Sequence, residues 1–268
     1  MAEPVPSGGA AAGEAKPASP CEWDAATYDR ISDPMTRWGA HVLDRLPLRG
    51  DDTVLDAGCG SGRVTELLLQ RLAGGHVVAL DMSASMLAEA KRRLAPFTGC
   101  VSFVEADLLA LSPDTLGGRA PVDAVLSTAT FHWVLDHDRL FANLAAVMRP
   151  GAWLVAQCGA AGNIDRLLEA VASTGVQRAG TWVYATPEET TARLEAAGFD
   201  AVEVWTHPEP TTLDRGEELE TYLQTVCLRV HVAELEEAER RPFIAAVASA
   251  MPDPVIDYVR LNIVARRR

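Results

Sequence analysis

The stretch Val54-Leu55-Asp56-Ala57-Gly58-Cys59-Gly60-Ser61-Gly62 decides the fold of this chain. Its first residues are mostly apolar and predict a buried β-strand, and glycine then occupies alternate positions from Gly58 to Gly62. Because glycine has no Cβ, this turn can bend sharply and let a ligand approach the backbone closely. The apolar residues of 63–72 recur with helical spacing. The stretch therefore predicts a strand, a glycine turn and a helix, and open α/β sheets bind ligands at such turns.

Two features of the turn discriminate between nucleotide ligands. A dinucleotide-binding sequence of the type G-x-G-x-x-G that starts at Gly58 requires glycine at position 63, where this chain has Arg63. Asp56, two residues before the first glycine, would repel a pyrophosphate. The turn therefore disfavours a nicotinamide oxidoreductase. It favours S-adenosylmethionine, which carries a sulfonium and an ammonium group and has no phosphate.

The same residues resemble motif I of the class I S-adenosylmethionine-dependent methyltransferases. A second predicted strand ends in Asp81, about 20 residues after the turn, where a carboxylate that binds ribose belongs. A third leads to Asp107, which by the resemblance accepts a hydrogen bond from the adenine amino group. Each has a structural alternative, Asp81 as a helix cap and Asp107 as a turn residue. The resemblance assigns to the cofactor Asp56, Gly58, Gly60, Gly62, Asp81, Met82, Asp107, Leu108 and Ser127.

Strands and helices alternate along the chain, which predicts an α/β fold with a doubly wound, mostly parallel sheet. The resemblance implies seven strands in a Rossmann-like arrangement. The predicted segments are a disordered tail at 1–20, a helical lid at 21–46, a cofactor-binding core at 47–160 and a C-terminal part of the core at 161–268. Within the last segment we expect a helical cap at about 215–252, including one long amphipathic helix at 216–230, before a final strand at 255–265.

Charge and cysteine content exclude several classes of function. The formal net charge of −13 argues against nucleic acid as a partner, because binding to phosphates requires a basic surface. The five cysteines are odd in number and lack C-x-x-C spacing, which indicates neither a disulfide framework nor a zinc site. No window is apolar over the length of a membrane span. We therefore expect a cytoplasmic protein that acts on a small molecule.

The segment Thr130-Phe131-His132-Trp133 follows the fourth predicted strand, at the sheet edge where ligands bind. With the acidic turn after it, this segment resembles the small-molecule carboxyl methyltransferases of the trans-aconitate and juvenile hormone acid type. His132 is an orienting donor, a general base, or a structural histidine held by a backbone carbonyl. Trp133 is a wall of the acceptor pocket or a core residue. His132 and His137 lack a third ligand, so we expect no metal site.

The N-terminal segment supplies three further candidates. The residues from Trp23 to Asp29 resemble the first lid helix of the family, which places Trp23 at the substrate. Tyr28 covers the cofactor or is a core aromatic residue. Arg37 binds the methionine carboxylate of the cofactor or an acidic substrate through paired hydrogen bonds, with a surface ion pair as the alternative.

The acidity of the methyl acceptor decides what else the site needs. A carboxylic acid with a pKa of about 4 is ionised at neutral pH and only has to be oriented, whereas a phenol or an alcohol requires a general base. We expect S-adenosylmethionine-dependent O-methylation of a small organic molecule, with a carboxylate favoured. The alternatives are methylation of a phenol or hydroxyl, C- or N-methylation in a natural-product pathway, and a cyclase that binds S-adenosylmethionine without methylating.

Overall fold

The structure is a computed structural model that describes residues 33–176 and 182–268. The tail predicted at 1–20 and the candidates Trp23 and Tyr28 lie outside the described residues.

Within the described residues, seven strands form the main sheet, and two more form a small separate one. The strands are β1 Thr53–Ala57, β2 His76–Asp81, β3 Val101–Glu105, β4 Val122–Thr128, β5 Met148–Gly159, β6 Phe199–Pro208, β7 Thr211–Thr212, β8 Val255–Ile256 and β9 Val259–Arg267. The order of the main sheet is β3-β2-β1-β4-β5-β9-β6. Strands β1 to β5 are parallel, and β9 runs antiparallel to both β5 and β6. The predicted doubly wound, mostly parallel sheet is confirmed, with the switch of strand order between β1 and β4.

The helices cover both faces of this sheet and build a cap above its carboxyl edge. They are α1 Asp33–Leu43, α2 Arg63–Leu69, α3 Ala84–Arg93, α4 His137–Val147, α5 Asp165–Ser173, α6 Pro187–Ala196, α7 Glu217–Tyr222, α8 Arg229–Ala233 and α9 Glu237–Ala250. Side-chain caps fix several starts: Ser83 accepts from the N–H of Met86 before α3, and Thr186 forms a capping box with Glu189 before α6. In the described part of the chain, no helix combines the length and apolarity needed to cross a bilayer.

Three large apolar clusters hold the described elements together, beside a small fourth cluster around Ala79 and Leu87. One face of the sheet packs Leu261 and Ile263 of β9 against α4 and α6. The other face packs Val155 against the side chains of α1 and α2. The third cluster lies in the cap and joins α5, α7 and α9 to Trp38 of α1. Helix α1 therefore contributes to a sheet cluster with its last turn and to the cap cluster with Trp38.

The cap differs from the prediction at one helix. The single helix expected at 216–230 is interrupted by a π-helical turn, Leu223–Cys227, in which the N–H of Leu228 donates to the carbonyl of Leu223 at 2.8 Å. This wider turn allows two side chains five positions apart to contact one partner. The hydroxyl of Tyr222 and the thiol of Cys227 lie 3.0 and 3.4 Å from the hydroxyl of Tyr258. The apolar periodicity of the sequence gives no indication of this π-helical hydrogen bond.

The last strand also differs from the expectation of one continuous strand at 255–265. The first two residues belong to β8, which pairs with β7 in the separate two-stranded sheet. The main-sheet strand β9 begins only at Val259. The intervening residues Asp257 and Tyr258 turn into the cap, where Asp257 accepts from the N–H of Arg166 at the start of α5. The cap is thus fastened to the sheet immediately before β9.

Candidate functional site

The glycine turn lies between β1 and α2, at the carboxyl edge of the sheet. Gly58, Gly60 and Gly62 have φ angles of +84°, +53° and +82°, which glycine adopts without a steric penalty. The N–H of Gly58 donates to the carbonyl of Leu80 at 2.8 Å and fastens the turn to β2. A Cβ on Gly58 would collide with Thr130, whereas a Cβ on Gly60 would meet nothing within 4 Å. The turn therefore presents bare backbone to an open space.

Asp81 at the end of β2 stands beside this open space. Its carboxylate accepts from the N–H of Gly60 at 2.9 Å and from the N–H of Ser83 at 2.9 Å. Burial raises the pKa of Asp81, and these hydrogen bonds oppose the shift. Carboxylate oxygens have additional lone pairs, which suit ribose hydroxyls. The next residue, Met82, is 50% exposed and offers an apolar surface for an adenine ring.

Asp107 and Leu108 follow β3 along the same edge. Asp107 is exposed, and its Oδ1 accepts from the N–H of Leu109 at 2.8 Å, which caps a short 3₁₀ helix. This is the turn role that the sequence left open, and it is compatible with an adenine contact through Oδ2. The side chain of Leu108 is buried in a sheet cluster, so its backbone is the part that lies at the edge.

Asp56 and Ser127 lie beneath the glycine turn and not on its open side. Asp56 is 1% exposed, and its Oδ2 accepts from the hydroxyl of Thr65 at 2.6 Å. Its Oδ1 is buried and has no hydrogen-bond partner among the described residues. Burial is the main cause that raises the pKa of Asp56 to about 7. A buried carboxylate oxygen without a partner, directly below the turn, fits a cationic ligand above it. Ser127 is also buried and donates to the carbonyl of Ala57 at 2.7 Å, which supports the turn.

His132 lies across the edge from the turn, in a short 3₁₀ helix, Phe131–Trp133, after β4. The residue is 8% exposed, and its Nδ1 accepts from the N–H of Gly159 at 3.3 Å. A backbone N–H can only donate, so the ring carries its proton on Nε2. Burial, together with the charge of Arg260, lowers the pKa of His132 to about 3. His132 is therefore a neutral hydrogen-bond donor, and the histidine that contacts a backbone carbonyl is His137, 3.0 Å from the oxygen of Phe131.

Aromatic rings surround His132. Tyr184 stacks on it at 5.9 Å between ring centroids, and Trp133 lies 5.1 Å from it. Trp182 contacts Trp133 edge-on at 6.0 Å and lies 5.8 Å from His231 of α8. Trp133, Trp182 and Tyr184 are partly exposed. These rings form a wall between the sheet and the cap, of which the sequence predicted only Trp133.

The segment 182–184 reaches this position through one backbone contact. The N–H of Val183 donates to the carbonyl of His132 at 2.8 Å, which places Trp182 and Tyr184 on either side of it. Gly159 permits the approach, since a Cβ there would lie 2.6 Å from the ring of Tyr184. The sequence offered no signal for this docking because the partners are about fifty positions apart.

Arg260 of β9 is a buried cation that sequence analysis missed. It pairs with Gly159 across the strands and is 4% exposed. Its guanidinium lies 5.0 Å from the ring centroid of Trp38, and its Nε donates to Gln157 at 3.4 Å. One signal was available, namely an arginine in the middle of the mostly apolar stretch 255–265.

The remaining candidates concern α1 and metal binding. Arg37 is exposed on α1, next to the buried Trp38, and its contact with a cofactor carboxylate stays a prediction. Within 33–176 and 182–268, no group of three or more His, Cys, Asp or Glu side chains is arranged to hold a metal ion.

Comparison with known proteins adds independent findings. A family model described as a methyltransferase domain matches residues 54–151. A trans-aconitate 2-methyltransferase of Methylobacterium nodulans is 32% identical over 266 residues, which covers 92% of this chain and 98% of that protein. One of Paracidovorax citrulli is 39% identical over 136 residues, covering 51% of this chain and 50% of that protein. The solved structure of Haemonchus contortus phosphoethanolamine N-methyltransferase 2, in complex with phosphomonomethylethanolamine and S-adenosylhomocysteine, has the same fold. Its TM-score is 0.59 at 18% identity, over 91% of this chain and 56% of that one.

Proposed function

Since this chain belongs to the class I S-adenosylmethionine-dependent methyltransferases, we propose that it methylates a carboxylate oxygen of a small organic acid. Its cofactor is S-adenosylmethionine and its substrate is a small molecule. The choice of a carboxylate is the step that we add. The relatives named trans-aconitate 2-methyltransferases support it, and so does the protonation state of His132.

The cofactor half of the site supplies binding groups with little motion required. The backbone of Gly60 and the carboxylate of Asp81 would hold the ribose side, and Met82 would cover the adenine. Burial raises the pKa of Asp56 to about 7, and the cationic groups above it would stabilise its ionised form. When bound, the cofactor supplies an electrophilic methyl carbon on a sulfonium.

The observation that carries the proposal is the tautomer of His132. Because Nδ1 accepts from Gly159, the ring presents an N–H at Nε2 and cannot take a proton there. Its lowered pKa, about 3, keeps the ring neutral at physiological pH and makes it a poor base. A donor of this kind orients an ionised carboxylate but does not deprotonate a phenol or alcohol.

The reaction then requires no proton transfer. Transfer of the methyl group that the bound cofactor would supply to the carboxylate oxygen would give a methyl ester and S-adenosylhomocysteine, with the electron pair of the carbon–sulfur bond left on sulfur. The task of the protein is to hold the oxygen in line at near-attack distance. His132 would orient the oxygen, while Trp133 and Tyr184 limit the access of water.

A methyl-transfer assay with labelled cofactor tests the proposal on a panel of carboxylic acids, phenols and alcohols. We expect label in methyl esters, which alkaline hydrolysis releases. His132→Gln keeps an N–H donor and should retain most of kcat/KM, whereas His132→Ala should lower it by about 10-fold through loss of one hydrogen bond. His137→Gln serves as the control for substitution of a buried histidine near the same turn.

The opposite outcome is equally clear. Label only in phenols or alcohols, with a loss of about 10²- to 10⁴-fold in His132→Gln and removal of a pH-dependent limb of the rate, would identify His132 as a general base. That result would replace the carboxylate with a hydroxyl acceptor.

A further inference from the structure

Arg260 occupies the acceptor half of the site and has no part in the reaction described above. We propose that Arg260 selects the acceptor by binding a carboxylate of the substrate other than the one that is methylated. This inference rests on the proposed carboxylate methylation and adds the residue that distinguishes di- and tricarboxylic acids from monocarboxylic acids.

The position of Arg260 follows from strand register. Its Cα pairs with Gly159, and the N–H of Gly159 donates to His132. Side chains of cross-strand partners lie on the same face of a sheet. Arg260 therefore shares a face with the space above Gly159, where the ring of Tyr184 lies. Burial is the largest cause of the pKa shift at His132, Cys158 and Tyr184, and the nearby positive charge of Arg260 is a smaller influence that lowers the pKa of each.

A directed chain of hydrogen bonds holds the guanidinium in place. Arg260 Nε donates to Gln157 at 3.4 Å, and Gln157 donates to Asn262 at 2.9 Å. Asn262 in turn donates to His207 Nδ1 at 2.9 Å, and His207 Nε2 contacts Glu209 at 3.1 Å. In both Gln157 and Asn262, the amide oxygen accepts a hydrogen bond and the amide nitrogen donates the next one in the series. This series of hydrogen bonds reaches from Gln157 on β5 to His207 on the outer strand β6, and it fixes the rotamer of Arg260.

The chemistry of the side chain fits the assignment. A guanidinium remains charged at any working pH and binds carboxylates through paired N–H donors. The bond from Nε to Gln157 orients the plane of the guanidinium. The ring of Trp38 lies 5.0 Å from the guanidinium and stabilises its charge in the buried site.

The decisive experiment compares acids that differ by one carboxylate. Fumarate and crotonate share a four-carbon trans-alkene, and crotonate has a methyl group where fumarate has its second carboxylate. The wild-type enzyme should prefer fumarate, and trans-aconitate serves as a tricarboxylic probe. Arg260→Gln should raise KM for fumarate and trans-aconitate by about 10²-fold, the usual effect of removing one partner of a buried charge pair. Its kcat/KM for crotonate should stay within about 3-fold of the wild-type value.

Two further variants and one control test whether Arg260 is a substrate anchor, meaning the group that binds the second carboxylate, or only a support of the fold. Arg260→Lys keeps the charge without the planar fork and should show an intermediate, fumarate-specific rise in KM. Gln157→Met tests the positioning residue and should raise KM for fumarate with little change in kcat. The control is Arg266→Gln, because Arg266 also lies on β9 with a tryptophan ring, Trp153, 6.0 Å from its guanidinium, but it is exposed and far from His132.

A binding measurement separates this inference from the proposed reaction. Calorimetric titration of fumarate and trans-aconitate into the enzyme saturated with S-adenosylhomocysteine requires no turnover. If the wild type binds these acids through Arg260 but transfers no methyl to them, the anchor stands and carboxylate methylation fails. If neither acid binds, or if Arg260→Gln weakens the binding of fumarate and of crotonate equally, the proposed role of Arg260 is overturned. Should Arg260→Gln not fold, a fumarate-specific defect in Arg260→Lys supports the anchor and its absence overturns it.

Discussion

The cofactor half and the acceptor half of the site are built in different ways. In the cofactor half, Asp81 accepts from Gly60, 21 positions away, and from Ser83, two positions away. In the acceptor half, His132 accepts from Gly159, 27 positions away, and Arg260 donates to Gln157 across 103 positions. The first half is a local motif of strand ends, whereas the second exists only when distant segments meet beneath the cap.

The two halves also differ in charge. The carboxylates of Asp56, which is buried, and of Asp81, which is partly buried, lie below and beside the glycine turn. The acceptor half contains the buried cation Arg260 and the neutral ring of His132. A positively charged cofactor and a negatively charged acceptor would each meet the opposite charge in its own half.

The largest expected effect concerns the backbone of the cofactor half. Gly58→Ala combines a left-handed φ of +84° with a collision against Thr130. We expect it to lower the free energy of unfolding by about 3 kcal/mol, the sum of backbone strain and overpacking. Gly99→Ala is the matched control, because its φ is +95° and its Cβ would meet nothing within 4 Å. Urea denaturation measures both, and equal losses would show that Thr130 yields and that the turn is not rigid.

Asp81→Ala should weaken the binding of S-adenosylhomocysteine by about 1–3 kcal/mol, because the hydrogen-bond donors that face this charged group lose their acceptor. Arg260→Gln should leave this affinity unchanged, since it belongs to the other half. Isothermal titration measures both affinities, and melting curves establish that each variant is folded. Unchanged affinity in folded Asp81→Ala would remove the ribose assignment.

The opposite pKa shifts of the two halves predict opposite pH trends in stability. The pKa of His132 falls from 6.5 to about 3 on folding, so the unfolded state binds more protons between these values. The contribution of His132 to the free energy of unfolding is complete above pH 6.5 and is lost as the pH falls toward 3. The pKa of Asp56 rises from 3.8 to about 7, so its contribution is complete below pH 4 and is lost as the pH rises through 7.

Each group changes the free energy of unfolding by up to about 1.4 kcal/mol per pH unit inside its window. Denaturation of the wild type, His132→Gln and Asp56→Asn across pH 4 to 8 tests this. In His132→Gln, the free energy of unfolding should fall less steeply as the pH is lowered. In Asp56→Asn, it should fall less steeply as the pH is raised toward neutral. If one variant alters the other window, the two halves are electrostatically coupled and the separation described above is wrong.

The smallest expected effect concerns Ser127. Because its hydroxyl donates to the carbonyl of Ala57 from a buried position, Ser127→Ala should cost about 1 kcal/mol of stability. Cofactor affinity should change less than about 3-fold if the side chain only supports the turn. A loss of affinity without a loss of stability would instead identify a direct contact with the cofactor.

Sequence reasoning recovered the elements whose signals are local. The strand ends at Asp81 and Asp107, the glycine turn and the apolar strands predicted the mostly parallel sheet that the structure shows. It failed where a contact with a distant residue changes local geometry. The helix expected at 216–230 contains a π-helical turn, which allows Tyr222 and Cys227 both to contact Tyr258, some thirty positions later.

By itself, the sequence determined the fold class and the positions of the glycine turn, Asp81 and Asp107 along the first three strands. Those features follow from apolar periodicity and from glycine at fixed positions, which act over a few residues. Only the tertiary structure decided the protonation state of His132, the ring of Tyr184 above Gly159 and the burial of Arg260. These depend on which strand end lies beside which loop and on how much water is excluded there. Burial and charge then set the pKa values and hydrogen-bond directions that a residue type alone leaves open.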